Sequence, residues 1–154
     1  MGAEGQVGAV LQVFIKVIAI IFVMHVLLLL FQFILAGTIA KKNPFKALVT
    51  MLPAYMTALG TQSSAATIPV TLEQAKKNGV NPDIAGFVIP LCATVHLAGS
   101  ILKIVACAYA IVWMLGMPSG FDLFSGFICM LGITMVAAPG VPGGAIMAAL
   151  GILA

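Results

Sequence analysis

One polar segment of this otherwise apolar chain contains residues that could bind a carboxylate. "GTQSSAATIPVT", residues 60–71, carries the hydroxyls of Ser63, Ser64 and Thr67. Such side chains cap helices, so we expect a half-helix that begins near Ala65 and presents free N–H groups and a positive dipole end to an anion. The alternative is that these hydroxyls only satisfy backbone groups of their own turn.

Two ionisable side chains follow in a second polar segment, residues 94–103. The imidazole of His96 titrates near neutral pH, which makes it a candidate proton carrier; a neutral histidine bonded to a backbone carbonyl is the alternative. Lys103 lies one helical turn from Ser100 and is a candidate fixed cation in place of a bound one. Alternatively, its ammonium extends to a membrane surface. His25 has no evident partner and is assigned to helix packing.

The composition defines the surroundings in which these side chains must work. The chain of 154 residues is 62% hydrophobic and 7% charged, which predicts an integral membrane protein. Its basic residues are clustered lysines without interleaved aromatic residues, so no nucleic-acid partner is expected. Enzyme motifs and paired acids are absent from the sequence, so we expect no enzyme, although His25, His96 or a cysteine would be the candidates for one. Cys92, Cys107 and Cys129 are interpreted as small buried apolar residues.

Lysines mark the ends of the first predicted elements. Residues 7–40 form an apolar run long enough for a spanning helix, and residues 44–78 form a shorter segment flanked by Lys41–Lys46 and Lys76–Lys77. Because short lysine-rich loops face the cytoplasm, both ends of the second segment should lie on that side. The segment is therefore predicted to be a re-entrant hairpin with its tip at residues 60–66, which protein or a water-filled cavity must surround.

Two further elements complete the predicted all-α membrane fold. Residues 81–115 form a second spanning helix, capped by Asn81, in which Pro, Gly and polar residues predict a break near the middle of the membrane. Residues 120–154 form a second re-entrant hairpin, entered from the opposite side, with its tip at 139–144. The sequence stops soon after that tip, so this hairpin is expected to be truncated and the chain to be a fragment. Two such tips beside a broken helix indicate an inverted-repeat transporter core.

Three ordered motifs, "TQSSAATIPVTLE", "IPLCATVHLAGS" and "PGVPGGAIM", resemble those of the dicarboxylate/amino acid:cation symporter family, the relatives of the glutamate transporters. The resemblance runs from the "NPFK" loop to the end of the chain. It implies a homotrimer whose subunits each move a transport domain in an elevator motion, with the second hairpin as extracellular gate. It also implies that the scaffold helices, the second arm of the last hairpin and the eighth helix, which carries the main substrate-selecting residues, lie outside this sequence.

The resemblance assigns roles position by position. Where the family has Asn-Met-Asp, which helps to build its sodium sites, this chain has His96, Leu97 and Ala98. The loss of that carboxylate predicts altered sodium sites and leaves His96, Gly99 and Lys103 as candidates for cation coupling. The residues that match the substrate side of the family's site are Ser63, Ser64, Thr67, Ser100, Gly140, Val141, Pro142 and Gly143.

These observations and the resemblance predict a secondary active symporter for an acidic amino acid or a dicarboxylate, coupled to sodium or to protons by an elevator mechanism. Its expected partners are a small carboxylate, the lipid bilayer and, at full length, two further copies in a homotrimer; no cofactor or metal is expected beyond the transported cation. The expected location is the inner (plasma) membrane of the cell, with the loops at Lys41–Lys46 and Lys76–Lys77 in the cytoplasm. The alternative is a truncated fragment that inserts into the membrane but does not transport.

Overall fold

The computed structural model describes the backbone of residues 3–153 and the side chains of residues 8, 10–122 and 124–152. All regular elements in this range are α-helices, which confirms the all-α prediction. Helix α1 packs against α2 and α5, α3 packs against α2 and α4, and α5 packs against α6 and α7. The helices are α1 (Ala3–Ala40), α2 (Pro44–Thr61), α3 (Ser64–Lys77), α4 (Pro82–Val95), α5 (Ala98–Met114), α6 (Phe121–Met135) and α7 (Gly144–Leu153).

Two segments of the described chain are long and apolar enough to cross a membrane. They are Val10–Ala40 within α1 and Pro82–Met114, which comprises α4 and α5. At 1.5 Å per residue the first segment is about 46 Å long, against a hydrocarbon thickness of about 30 Å. A helix of that length must tilt in the membrane or protrude from it.

The chain turns sharply between α1 and α2. A Cβ atom on Gly37 would lie 2.9 Å from Cβ of Pro44, so the close approach of the two segments requires a glycine there. Asn43 caps α2 by accepting hydrogen bonds from the N–H groups of Phe45 (3.0 Å) and Lys46 (3.2 Å). Pro44 occupies the first turn of α2, where no N–H donor is needed. Local sequence thus ends one helix and begins the next.

Helices α2 and α3 form an antiparallel hairpin. Helix α2 is followed by Gln62 in a left-handed conformation, with φ at 52°, and Ser63 is the N-cap of α3. At the other end of the hairpin, Asn78 Nδ2 donates to Ala47 O at 3.1 Å, and Lys42 Nζ donates to Asn78 O at 2.8 Å. The start of α2 therefore lies beside the end of α3, and the turn between them falls within the segment expected to form the first tip.

The end of α3 carries an exposed ion pair. Lys77 Nζ lies 2.8 Å from the carboxylate of Glu73, one helical turn away. The hydrogen bond from Lys77, together with its charge, holds the pKa of Glu73 below its ordinary value. Because both side chains are exposed, the pair contributes little to stability.

The second apolar segment is interrupted, as predicted. Asn81 accepts a hydrogen bond from Asp83 N at 2.9 Å, which confirms its predicted role as the cap of α4. Helix α4 ends at Val95 and α5 begins at Ala98, so His96 and the residue after it form the break. The break frees backbone groups that a continuous helix would bond internally.

The packed core lies between α5, α6 and α7. Leu131 and Met135 of α6 are almost completely buried there, together with Ile104 of α5 and Ala149 of α7. These contacts hold α5, and therefore one side of the break, against the last two helices.

Many large apolar side chains outside this core face outward. Ile15 and Phe22 of α1 are 64% and 61% exposed, which suits contact with lipid or another protein better than contact with water. The prediction of buried cysteines is wrong for Cys92 and Cys129, which are exposed, and Cys107 is only half-buried.

Candidate functional site

A cavity of about 670 Å³ lies where the break between α4 and α5 meets the turns that follow α2 and α6. This volume is in the range of small-molecule sites, about 300–1,000 Å³. The described lining residues include one lysine but no Asp or Glu, so the cavity favours a solute with negative charge. Its polar side chains are His25, Tyr55, Gln62, Ser63, Ser64, His96, Ser100 and Lys103.

All but two of the site residues expected from the sequence line this cavity, the exceptions being Thr67 and Pro142. Thr67 is buried, and its Oγ1 donates to Ser63 O at 2.7 Å, so it supports the turn. Pro142 is exposed between the lining residues Val141 and Gly143. The structure thus brings residues from both turns and from the break to one cavity.

The two turns meet at one carbonyl group. Ser63 Oγ donates to Gly140 O at 2.8 Å, and Ala65 N donates to the same oxygen at 3.0 Å. A Cβ atom on Gly140 would lie 3.0 Å from Ala93 O and 3.6 Å from Ser64 Cβ. Three segments of the chain therefore converge on a position where only a glycine fits without displacement of its neighbours.

This contact contradicts the expected free N-terminus of α3. The N–H of Ala65 is bonded to Gly140 O, and the N–H of Ala66 is bonded to Ser63 Oγ at 3.2 Å. The prediction of N–H groups directed at an anion is wrong for Ala65, because the second turn supplies its acceptor, whereas the bond from Ala66 to Ser63 Oγ is the predicted cap. The N–H of Ala65 becomes available to a solute only when the turns separate.

His96 lies at the break, directly after α4. Its backbone N–H donates to Cys92 O at 3.0 Å, and its Nε2 lies 3.2 Å from Gln32 Nε2 of α1. Because an amide nitrogen donates and does not accept, Nε2 of His96 is the acceptor in this contact. The expectation of a ring bonded to a backbone carbonyl is therefore wrong, since the ring's partner is a side-chain amide.

His25 lines the cavity, although the sequence assigned it only to helix packing. Its Nδ1 donates to Ile21 O at 2.8 Å. A Cβ atom on Gly99 would lie 2.9 Å from His25 Nε2, so the imidazole fills the space that the glycine leaves. His25 and Gln32 are two helical turns apart and share one face of α1. This spacing in the sequence could have indicated that both residues face the break between α4 and α5.

Lys103 also lines the cavity. It lies in the second turn of α5, beyond the break at His96 and Leu97, and its side chain is exposed, so its roles as a fixed cation and as an ammonium that extends to a membrane surface both stay predictions. Its neighbour Ser100 lies on the same side of that helix and lines the same cavity. The cavity therefore contains a fixed positive charge beside a hydroxyl group.

This architecture is typical of membrane transporters, in which solute sites form at interrupted helices between apolar spans. The model of the sodium:dicarboxylate symporter family matches residues 1–154, and the chain belongs to that family. The match confirms the resemblance that the motifs indicated. It also confirms that the chain comes from a family of transporters and not of enzymes.

Relatives with known roles agree with this membership. The serine/threonine transporter SstT of Acinetobacter baumannii is 40% identical over 117 residues, 74% of this chain and 29% of the relative. Excitatory amino acid transporter 1 of Rattus norvegicus is 33% identical over 135 residues, 87% of this chain and 24% of the relative. SstT of Streptococcus suis is 34% identical over 115 residues, 74% of this chain and 32% of the relative.

The chain spans about a quarter to a third of the length of these relatives. No solved structure matches it. The family match and the two apolar segments indicate a membrane protein.

Proposed function

We propose that this chain forms the solute site of a secondary active symporter for an acidic amino acid or a dicarboxylate. The observation that carries the proposal is the cavity at the convergence of both turns and the α4–α5 break. Its described lining contains positive and hydroxyl-bearing side chains and no carboxylate, which favours a solute with one or two carboxylates.

In the proposed membrane arrangement, residues 7–40 and 81–115 span the bilayer, while residues 44–78 and 120–154 form re-entrant hairpins from opposite sides. The bonds from Lys42 to Asn78 O and from Asn78 to Ala47 O support the first hairpin, because they join its two ends. The lysine-rich loops at those ends would face the cytoplasm.

The proposed solute site uses Lys103, Ser64 and Ser100 as donors to a carboxylate. The ammonium of Lys103 supplies a full charge, and charge-assisted hydrogen bonds are roughly twice as strong as neutral ones. The second turn, with Gly140 at the contact, acts as the gate. When the gate opens, Ala65 N–H loses Gly140 O and gains the freedom to bind the solute.

The proposed coupling cation is either sodium or a proton. Ala98 has no carboxylate with which to bind sodium, whereas His96 lies exposed at the break and is the proposed proton carrier. Lys103 would serve as a fixed cation, and Gly99 would leave the backbone at the break accessible. The elevator motion, the homotrimer and the inner-membrane location are proposed from family membership.

Two other functions remain candidates. A small neutral amino acid is favoured by the 40% identity with a serine/threonine transporter. A fragment that inserts but does not transport is favoured by the chain's coverage of 29% of that relative.

Uptake measurements test the proposal. Proteoliposomes containing the protein should accumulate radiolabelled aspartate or succinate more strongly than serine, and uptake should depend on a sodium gradient or on pH. Uptake that requires sodium, ignores pH and survives His96→Ala contradicts proton coupling. A preference for serine supports the neutral substrate, and the absence of all uptake supports the fragment.

A further inference from the structure

We propose that His25 is a substrate-binding residue whose Nε2 accepts a hydrogen bond from an N–H or O–H group of the solute. This contact would select amino acids and hydroxy acids over plain dicarboxylates. The inference rests on the proposed function and deepens it by naming the substrate class.

The protonation of His25 follows from its hydrogen bond. Nδ1 lies 2.8 Å from Ile21 O, and a carbonyl oxygen only accepts hydrogen bonds, so Nδ1 carries the hydrogen. In a neutral imidazole with a hydrogen on Nδ1, the other nitrogen has a free lone pair. In the neutral ring that we propose, Nε2 is therefore an acceptor.

The position of His25 leaves this acceptor available to a solute. The residue is half-buried and lines the cavity, with Nε2 facing Gly99. Among the described residues, every side-chain nitrogen or oxygen that is fully buried has a hydrogen-bond partner. Nε2 has no partner in the described chain, so it must be accessible from the cavity.

The membrane makes an unpaired acceptor at this depth informative. His25 is the central residue of the apolar span Val10–Ala40. In the proposed membrane arrangement this acceptor lies away from bulk water, where an unpaired polar group is costly, so a donor from a solute or from water in the cavity is required there.

The other acceptors in the cavity are less suited to the role. His96 Nε2 already accepts from Gln32, while Tyr55 and Gln62 are exposed. The ring of His25, by contrast, is oriented by Ile21 on one side and fits against Gly99 on the other.

The arrangement therefore offers two complementary kinds of group to one solute. Lys103 donates to a carboxylate, and His25 accepts from an ammonium or hydroxyl group of the same molecule. An amino acid or a hydroxy acid satisfies both, whereas a plain dicarboxylate such as succinate has no donor for His25.

The test is equilibrium binding of L-aspartate, malate and succinate to the protein in nanodiscs, with wild type, His25→Phe and His25→Gln. Phenylalanine keeps a ring against Gly99 but removes the acceptor, so the aspartate Kd should rise by roughly tenfold, the effect of losing one hydrogen bond to a charged group. The malate Kd should also rise, and the succinate Kd should change by less than about twofold. His25→Gln retains an acceptor oxygen and should restore most of the preference for aspartate and malate over succinate.

Nitrogen NMR of imidazole-labelled protein gives an independent readout, with the His25 resonance assigned by its loss in His25→Phe or His25→Gln. A neutral ring with hydrogen on Nδ1 is expected, and a ring protonated at Nε2 at the pH of the binding assay overturns the proposal. If wild type binds none of the three solutes, the proposed function fails and this inference fails with it. If they bind but His25→Phe weakens all of them equally, only the role of His25 is overturned.

Discussion

Replacing Ser63 with alanine should loosen the contact between the two turns. The change removes the N-cap bond from Ala66 N, at 3.2 Å, and the bond to Gly140 O, at 2.8 Å. Loss of a serine cap costs about 1 kcal/mol, and loss of a typical hydrogen bond costs about 1 kcal/mol more. Of the two lost bonds, only that to Gly140 O joins the two turns, so its loss of about 1 kcal/mol corresponds to a roughly fivefold larger population of the separated state, while the loss of the cap weakens α3 in both states.

Hydrogen exchange measures this change, because Ala65 N–H is protected by Gly140 O only while the turns touch. In Ser63→Ala, exchange in the peptide that contains Ala65 should accelerate by roughly fivefold. Ser64→Ala is the matched control, since Ser64 is exposed and its change removes neither bond. Equal exchange rates in the two variants would refute the role assigned to the contact between the turns.

Three further predictions concern the break, the first hairpin and the cavity charge. Gly99→Ala should lower stability by about 1–3 kcal/mol in thermal unfolding, because its Cβ would lie 2.9 Å from His25 Nε2, whereas Gly86→Ala, with no neighbour within 4 Å, should not. Asn43→Ala should cost about 1 kcal/mol by loss of the cap of α2, and Asn43→Ser should restore most of it; equal stability of all three proteins would contradict the capping role. Lys103→Met should weaken aspartate binding by at least about tenfold and serine binding by less, and an equal loss for both would count against a charge effect.

Local features of the fold could be predicted from the sequence because their causes are local. Asn81 with Pro82 predicted the start of α4, and Pro90 among glycines and polar residues predicted a break before α5. The "GTQSSA" stretch indicated the turn after α2 for the same reason. Each of these features depends on caps, prolines and glycines within one or two turns of the chain.

Features that depend on distant parts of the chain could not be predicted in this way. The carbonyl of Gly140 accepts a hydrogen bond from Ala65 N–H, yet Gly140 is 77 residues away from Ser63 in the sequence. No local pattern shows that the two turns meet. The place of His25 in the cavity depends on the packing of α1 against α5. The place of Lys103 at the cavity depends on the break, which redirects the chain between α4 and α5.

Solute protection of one cavity residue tests whether this cavity is the solute site. Val141 is exposed and lines the cavity, so Val141→Cys in a protein without its three native cysteines provides a single site for a maleimide reagent. If the cavity is the solute site, saturating aspartate should slow labelling of this cysteine, while a sugar at the same concentration should not. If none of the tested carboxylates or amino acids changes the labelling rate, the assignment of this cavity as the site of transport is contradicted.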